Sequence, residues 1–261
     1  MSAMTKTGVE SVAQPTASLA KSQVVELRRY RLHPGTRETL INLFDRELVE
    51  PQEAVGMNVI GQFRDLDDPN AFVWLRGFRD MDSRAEALRA FYSGPVWATH
   101  HQQANGTMIN SDNVLLLRPI SLEAGFAAPT ESRPQSVEPG VQCGTVVATV
   151  CHLAPRSDEA FAMFFEHTVR PLLIENSATV LAALVTERSP NTFPSLPVRE
   201  RETVFVWFSS FSSLPAYETH LALLARSEDW NQVALPEMER RTWRHNEVAR
   251  LVPTARSLLH G

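Results

Sequence analysis

Residues 72–78 read FVWLRGF and residues 205–211 read FVWFSSF, nearly the same seven letters 133 positions apart. The coincidence continues downstream, where Trp97 follows Trp74 and Trp230 follows Trp207, 23 residues later each time. A chain that writes one strand twice, with the same anchor at the same distance, is constrained to build one unit twice. Its 261 residues allow two units of roughly 100 to 130 residues, each long enough to bury its own core.

Each copy carries the same order of signals. In the first, VVELRRYRL reads as a strand, and His33, Pro34 and Gly35 turn the chain into a helix beginning near Thr36, with Leu40, Leu43, Phe44 and Leu48 on one stripe. MNVIGQFR and AFVWLRGF form a hairpin across Asp67, Asp68, Pro69 and Asn70. A helix over Asp82 to Tyr92, a shorter one after Pro95 and the strand NVLLLRPI complete the unit. The second copy runs from GTVVATVCHL through a helix bearing Phe161, Phe164, Phe165 and Leu172, then TVLAALVTE and TVFVWFSSF. Helices over 213–241 and a last strand near Glu247 to Val252 follow. RSPNTFPSLPVRERE replaces the tight hairpin turn, and its three prolines argue against a strand.

The expected fold class is α+β: two ferredoxin-like β-α-β-β-α-β repeats whose antiparallel sheets pair as a barrel. The boundaries read as a disordered tail over 1–22, a repeat over 23–120, a Pro- and Ser-rich linker over 121–141 and a second repeat over 142–261. Strand side chains alternate between faces, so Phe72, Trp74, Arg76 and Phe78 share one face, and Val73, Leu75 and Gly77 the other. In the second copy Phe205, Trp207, Ser209 and Phe211 share a face. An aromatic patch of that size does not stay in water. The expectation is therefore that the aliphatic parity packs beneath the helices and the aromatic rows meet between the sheets, either within one chain or between two.

Composition narrows the function classes. A net charge of −5 and a pI near 5.9 give no basic footprint, so nucleic acid is not an expected partner. No apolar run reaches the 18 to 20 residues, roughly, that span a bilayer, and no membrane partner is expected. Cys143 and Cys151 are too far apart along one extended strand to bond. With no leader pattern at the start of the chain, they read as free thiols in the cytoplasm. No GxSxG elbow, HExxH, phosphate loop, dinucleotide fingerprint or CxxC occurs, so the site is expected to work without cofactor or metal.

ELRRYRLHPG (26–35), the hairpin ending in FVWLRGF, DSRAEALRAFYSGPVW (82–97) and LLLRP (115–119) together resemble the NIPSNAP family of the dimeric α/β-barrel superfamily. The likeness covers about 24–120 and, more loosely, 143–255. It implies paired sheets enclosing a cavity that holds small organic molecules in some members, for cofactor-free oxygen chemistry or with haem, and it implies no settled activity for the family itself. The chain departs from the family pattern where LPAYETHLALL lacks the counterparts of Arg84 and Arg89.

If the first strand follows the same parity, Glu26, Arg28 and Tyr30 face the cavity beside Trp74 and Arg76, opposite Val147, Thr149 and Cys151. One wall is charged and the other apolar, which suits a ligand with an anionic end and a hydrophobic body. The catalytic set is then Glu26 as a base whose proton affinity burial raises, Tyr30 as a hydrogen-bond donor and Arg76 as an anion holder. Arg28, Phe72, Trp74, Phe78, His100, Trp207 and Cys151 line the ligand. The favoured function is binding a small, partly hydrophobic organic molecule, with a cofactor-independent oxygenase, isomerase or lyase of secondary or aromatic metabolism as its enzymatic form, and association into a homo-oligomer. Two rivals stand beside it: a non-catalytic adaptor whose sheet faces serve assembly, and a haem protein with His152, His220 or His245 as axial ligand.

Overall fold

A computed structural model describes residues 22–128, 133–134 and 144–260; residues 1–21 of the expected tail, most of the expected linker and Cys143 lie outside them. Strand β1 (Val24–Leu32) leads through Gly35, whose φ of 78° suits the residue without a Cβ, into helix α1. That helix runs Arg37–Leu43, passes through a π turn at Phe44–Leu48 and ends with Val49–Ala54. The hairpin β2 (Asn58–Asp65) and β3 (Ala71–Phe78) follows. Helix α2 (Met81–Tyr92) starts on a reciprocal cap, with the Asp80 carboxylate accepting from the Ser83 amide at 2.7 Å and the Ser83 hydroxyl from the Asp80 amide at 3.0 Å. Helix α3 (Pro95–Asn105) opens on proline, and the strands β4 (Met108–Asn110) and β5 (Val114–Pro119) close the first half.

The second half repeats this order: β6 (Thr145–Leu153), then helix α4 as Asp158–Phe164, a π turn Phe165–Val169 and Arg170–Glu175, then β7 (Thr179–Thr186) and β8 (Thr203–Phe211). Helix α5 (Leu214–Leu224), a helix α6 made of the π turn Trp230–Ala234 and Leu235–Arg241, and β9 (Glu247–Pro253) complete it. The likeness of the two halves reaches into irregularities. Both first helices carry a π turn at the same place, and β2 and β7 each shift register at one position, between Val59 and Gly61 and between Val180 and Ala182.

Every strand pairing is antiparallel, and eight strands close a ring in the order β1, β3, β2, β9, β6, β8, β7, β5 and back to β1, with β4 added outside β1. The halves are stitched by exchanged last strands. β5 pairs with β7, setting Leu117 against Thr186, and β9 pairs with β2, setting Leu251 against Asp65. The barrel thus closes within one chain, the alternative that sequence left open.

The interior of that barrel corrects the expected parity. Val25, Leu27, Val73, Leu75, Leu115 and Leu117 from the first half meet Val146, Ala148, Val150, Leu184, Val206 and Leu251 from the second, joined by Phe63, Phe126 and Phe208. Trp74, Phe72, Phe78 and Tyr30 instead pack beneath their own helices against Leu40, Phe44, Leu48, Leu88 and Phe91, and Phe205, Trp207 and Phe211 do likewise against Phe161, Phe165 and Tyr217. The physical reason is width. In this eight-stranded barrel the interior is filled mostly by side chains of modest size, leaving a cleft of ≈ 270 Å³ lined by Leu27, Val73, Leu115, Ala148 and Val150, whereas the layer between a sheet and its helices takes the larger aromatic rows and the guanidiniums. Gly77 carries the inward parity to its limit, since a Cβ there would collide with the Ser22 side chain.

A direct test follows from the parity. Leu75→Trp forces a ring into the barrel interior and is expected to destabilise by about 1–3 kcal/mol through overpacking, measured by urea unfolding. A change near zero would mean that the interior has room for the aromatic row after all.

Candidate functional site

The β1–β3 register sets Glu26 opposite Arg76, Arg28 opposite Trp74 and Tyr30 opposite Phe72. All six side chains therefore project to one face, the face roofed by α1, α2 and α3. Glu26 is fully buried, and so, to within 1%, are Arg28, Arg76 and Arg84. The Glu26 carboxylate is saturated: Oε2 accepts from Arg28 Nη1 at 2.6 Å and from Arg76 Nε at 2.7 Å, and Oε1 accepts from Arg84 Nε at 2.7 Å. Three guanidiniums against one carboxylate leave an excess of two positive charges in a place without solvent. Buried charges are ordinarily matched, which makes this surplus the most informative feature of the molecule.

The excess donors are identifiable. Arg76 Nη2, Arg84 Nη2 and Trp74 Nε1 are buried with no partner. Arg28 Nε donates to the Tyr30 hydroxyl at 3.0 Å, which leaves the phenolic proton itself free to be given to a third group. The Trp74 ring lies between two guanidiniums, 5.6 Å from Arg28 and 5.1 Å from Arg76, a cation–π arrangement that keeps both charges against its faces. Arg76 Nη1 also reaches Gln52 Oε1 at 3.4 Å. Gln52, Trp74 and Tyr30 line a chamber shared with Leu40, Phe44, Phe91, Tyr92 and Trp97. Its volume is ≈ 30 Å³, about the share of one liquid water.

These surroundings fix the protonation states. Burial would push the Glu26 carboxyl up, but Arg76, Arg28 and Arg84 outweigh it and hold the group well below the usual carboxylate range. This corrects the expectation that burial turns Glu26 into a base: a carboxylate with both oxygens engaged by guanidiniums does not accept a proton near neutrality. The Tyr30 phenol is pushed up by burial, opposed by Arg28, and stays protonated. The Arg84 guanidinium is shifted down, burial outweighing the attraction of Glu26. Asp45, on the π turn of α1, goes the other way from Glu26. Burial raises it to about 6 despite hydrogen bonds from Thr254 and Gln62.

The structure thus gathers Glu26, Arg28, Tyr30, Phe72, Trp74, Arg76 and Phe78 in one layer, between sheet and helices rather than between sheets. Three other expected residues fall elsewhere. His100 sits on the outer side of α3, 3.8 Å from Glu47, and does not line the chamber. Trp207 and Cys151 belong to the separate core of the second half, where burial pushes the thiol up and out of reactive range. That second core has Val147, Thr149, Cys151 and Ser209 where the first has Glu26, Arg28, Tyr30 and Arg76, and it holds no carboxylate or guanidinium at those places. Nor are the three histidines set as open ligands. His152 contacts Glu247 at 2.9 Å, His220 contacts the Asn176 carbonyl at 2.5 Å and His245 is exposed. Among the described residues no group of three or more His, Cys, Asp and Glu side chains is placed to hold a metal, and no helix is long and apolar enough to cross a membrane.

Three participants were not assigned to the site from sequence. Arg84 lies on the buried stripe of α2 with Ala87, Leu88 and Phe91, a helical spacing that could have flagged an arginine pointing inward. Asn191 and Thr192 come from the irregular segment of the second half, and their Oδ1 and Oγ1 accept from Arg84 Nη1 at 3.0 and 3.2 Å. No local signal announces a contact across 107 residues.

Comparison with known proteins agrees with this picture of the fold. Residues 25–122 match the NIPSNAP family model. No curated protein matches the chain. Among solved structures, an anthrone oxidase-like protein superposes with a TM-score of 0.59 at 13% identity, over 91% of this chain and 93% of its own. A candidate monooxygenase from Lactobacillus acidophilus gives 0.53 at 10% identity over 89% and 94%. Another, from Fusobacterium nucleatum, gives 0.54 at 11% over 89% and 93%. Likeness at such identities shows a shared fold, an antiparallel barrel with helices outside.

The charge surplus makes a prediction in which two neighbours behave unequally. Glu26→Gln strips the only counter-charge from three buried guanidiniums and is expected to cost roughly 3–5 kcal/mol, whereas Arg84→Gln relieves part of the surplus and costs less. Because the native Glu26 carboxyl is held below its unfolded value, its contribution is complete above about pH 4.3 and is lost as pH falls further. The gap between wild type and Glu26→Gln should therefore narrow in acid. Chemical unfolding between pH 3 and 8 measures it, and a gap that stays flat would contradict the assignment.

Proposed function

We propose that the protein is a NIPSNAP-like barrel of two ferredoxin-like repeats that binds a small organic anion with a partly hydrophobic, aromatic body in the chamber of its first half. One observation carries the reading: the unused polar groups on Arg76, Arg84, Trp74 and Tyr30 are all donors, against a single unused acceptor in the layer, Gln62 Oε1 on the neighbouring strand, and they stand beside an apolar, ring-lined space with an excess of two positive charges. A ligand bringing a carboxylate, phenolate or enolate oxygen supplies the missing acceptor and the missing charge together.

The names of the fold neighbours suit a reaction on such an anion. An enolate or phenolate stabilised by guanidiniums is electron-rich enough to react with dioxygen directly, and oxidation of a CH2 group to a carbonyl by O2 with release of water balances without added reductant. In that chemistry Arg76 and Arg28 hold the anion, Tyr30 delivers a proton, and Glu26 positions the guanidiniums. Phe72 and Phe78 support Trp74 from the same strand. The anion must arrive ionised or be acidified by the cluster, since Glu26 does not serve as base.

Thermal unfolding with naphthalene-2-carboxylate and with the neutral naphthalene-2-carboxamide tests the binding step. At about a hundred times its dissociation constant the carboxylate should raise Tm by roughly 5 °C and the amide by much less, and Arg76→Gln, still melting cooperatively, should lose most of the carboxylate response. Equal responses to the two compounds, or an undiminished one in Arg76→Gln, would contradict an anion site.

A further inference from the structure

The two hairpins of the duplicated unit differ in one respect. Five residues, 66–70, join β2 to β3, whereas sixteen, 187–202, join β7 to β8. One leg stays on its own half, where Arg188 donates to Asp158 at 2.6 Å. The tip reaches the first half and packs on Tyr92, one of the residues that line the chamber described above.

There the segment Asn191–Leu196 makes a small set of contacts. Asn191 and Thr192 accept from Arg84, Thr192 donates to the Met81 carbonyl at 3.2 Å, and the Phe193 ring stacks on Tyr92 with centroids 5.9 Å apart and planes 27° from parallel. Phe193 and Leu196 rest, half-buried, against the first-half core. The segment is also stapled internally: Asn191 Nδ2 donates to the Leu196 carbonyl at 2.9 Å, the Phe193 amide to Asn191 Oδ1 at 3.1 Å and the Leu196 amide to the Phe193 carbonyl at 3.0 Å. It is a preformed knob on two legs. Between the legs, 187–191 and 198–202, a cleft of ≈ 460 Å³ opens together with Leu116 and Pro155, and it shares no lining residue with the chamber.

A chamber of ≈ 30 Å³ admits no organic molecule unless a wall moves. All of its lining residues stand on strands or helices, whose displacement would break backbone hydrogen bonds. The knob has no regular secondary structure, few contacts to release and open space behind it. We propose that Asn191–Leu196, supplied by the second half, is the latch that holds Tyr92, a wall residue at the end of α2, against the first-half chamber, so that its release is the gate, and that Phe193 sets the size of the aromatic anion admitted. The proposal rests on the chamber reading above and gives the second half, which has no polar site of its own, a part in ligand selection.

Stopped-flow quenching of tryptophan fluorescence by naphthalene-2-carboxylate and by the larger anthracene-2-carboxylate, on the full chain, separates the two claims. Phe193→Ala should bind the naphthalene compound at least five times faster than wild type and should gain binding of the anthracene compound. Thr192→Val, which frees Arg84 and Met81 with little change of shape, should also speed association. Unchanged rates and an unchanged size limit in both variants, with naphthalene-2-carboxylate still binding, would overturn the gate while leaving the chamber standing. Failure of that compound to bind wild type and both variants would overturn the chamber and the gate with it. Should Phe193→Ala not fold, Thr192→Val and hydrogen exchange of residues 191–196, expected to slow when naphthalene-2-carboxylate is bound, carry the same decision.

Discussion

Closing eight strands into a ring within one chain sets the width of the space between the two sheets, and the rest of the molecule is arranged around that width. The ring interior takes Val, Leu and Ala from both halves. Phe63 and Phe208 also fit there, but the rows of Trp74 and Trp207 and the charged groups Glu26, Arg28 and Arg76 use the other face, where helices stand off the sheet far enough to accommodate them. The duplicated aromatic strand is thus written twice because each half roofs its own aromatic layer while lending its aliphatic layer to a shared core. The exchanged strands β5 and β9, each pairing across the junction, make the halves inseparable.

Within that common plan the halves have diverged in chemistry. One layer holds four buried ionisable groups around Glu26, and the other holds Val147, Thr149, Cys151 and Ser209 at the matching places. An apolar layer needs nothing more for stability. Keeping three arginines around one carboxylate out of water is costly, and the second half, with Val147, Thr149 and Ser209 at the places of Glu26, Arg28 and Arg76, shows that small uncharged groups are compatible with the same strand arrangement. A surplus of charge maintained in one copy and absent from the other is therefore better explained by a ligand than by folding. The second copy contributes differently, through the long connection that reaches Arg84 and Tyr92.

Much of the architecture was legible in the residues. Strand and helix positions followed from periodicity and from Pro34–Gly35 and Pro95 at the turns, and the chemistry-bearing set of Glu26, Arg28, Tyr30, Trp74 and Arg76 followed from alternation along two strands. The direction of the faces did not. Alternation says which side chains travel together but not which side is roofed, and the size of Trp74 and Trp207 pointed to the wide layer only once the ring was known to be narrow. His100, Trp207 and Cys151 were misplaced by the same inversion, since each was assigned to a chamber shared by both sheets. Arg84, Asn191 and Thr192 were missed because their meeting depends on long-range packing, although the helical stripe through Arg84 was available.

The five tryptophans offer the most direct test of the claim that the first-half layer binds an anion. In protein labelled with nitrogen-15 at tryptophan, each indole gives its own NMR signal, and Trp74→Phe identifies that of Trp74. Titration with naphthalene-2-carboxylate should move the Trp74 signal, whose N–H gains an acceptor, and leave that of Trp207 in place. A Trp74 signal that stays still while the compound binds, or a Trp207 signal that moves in its stead, would contradict the account.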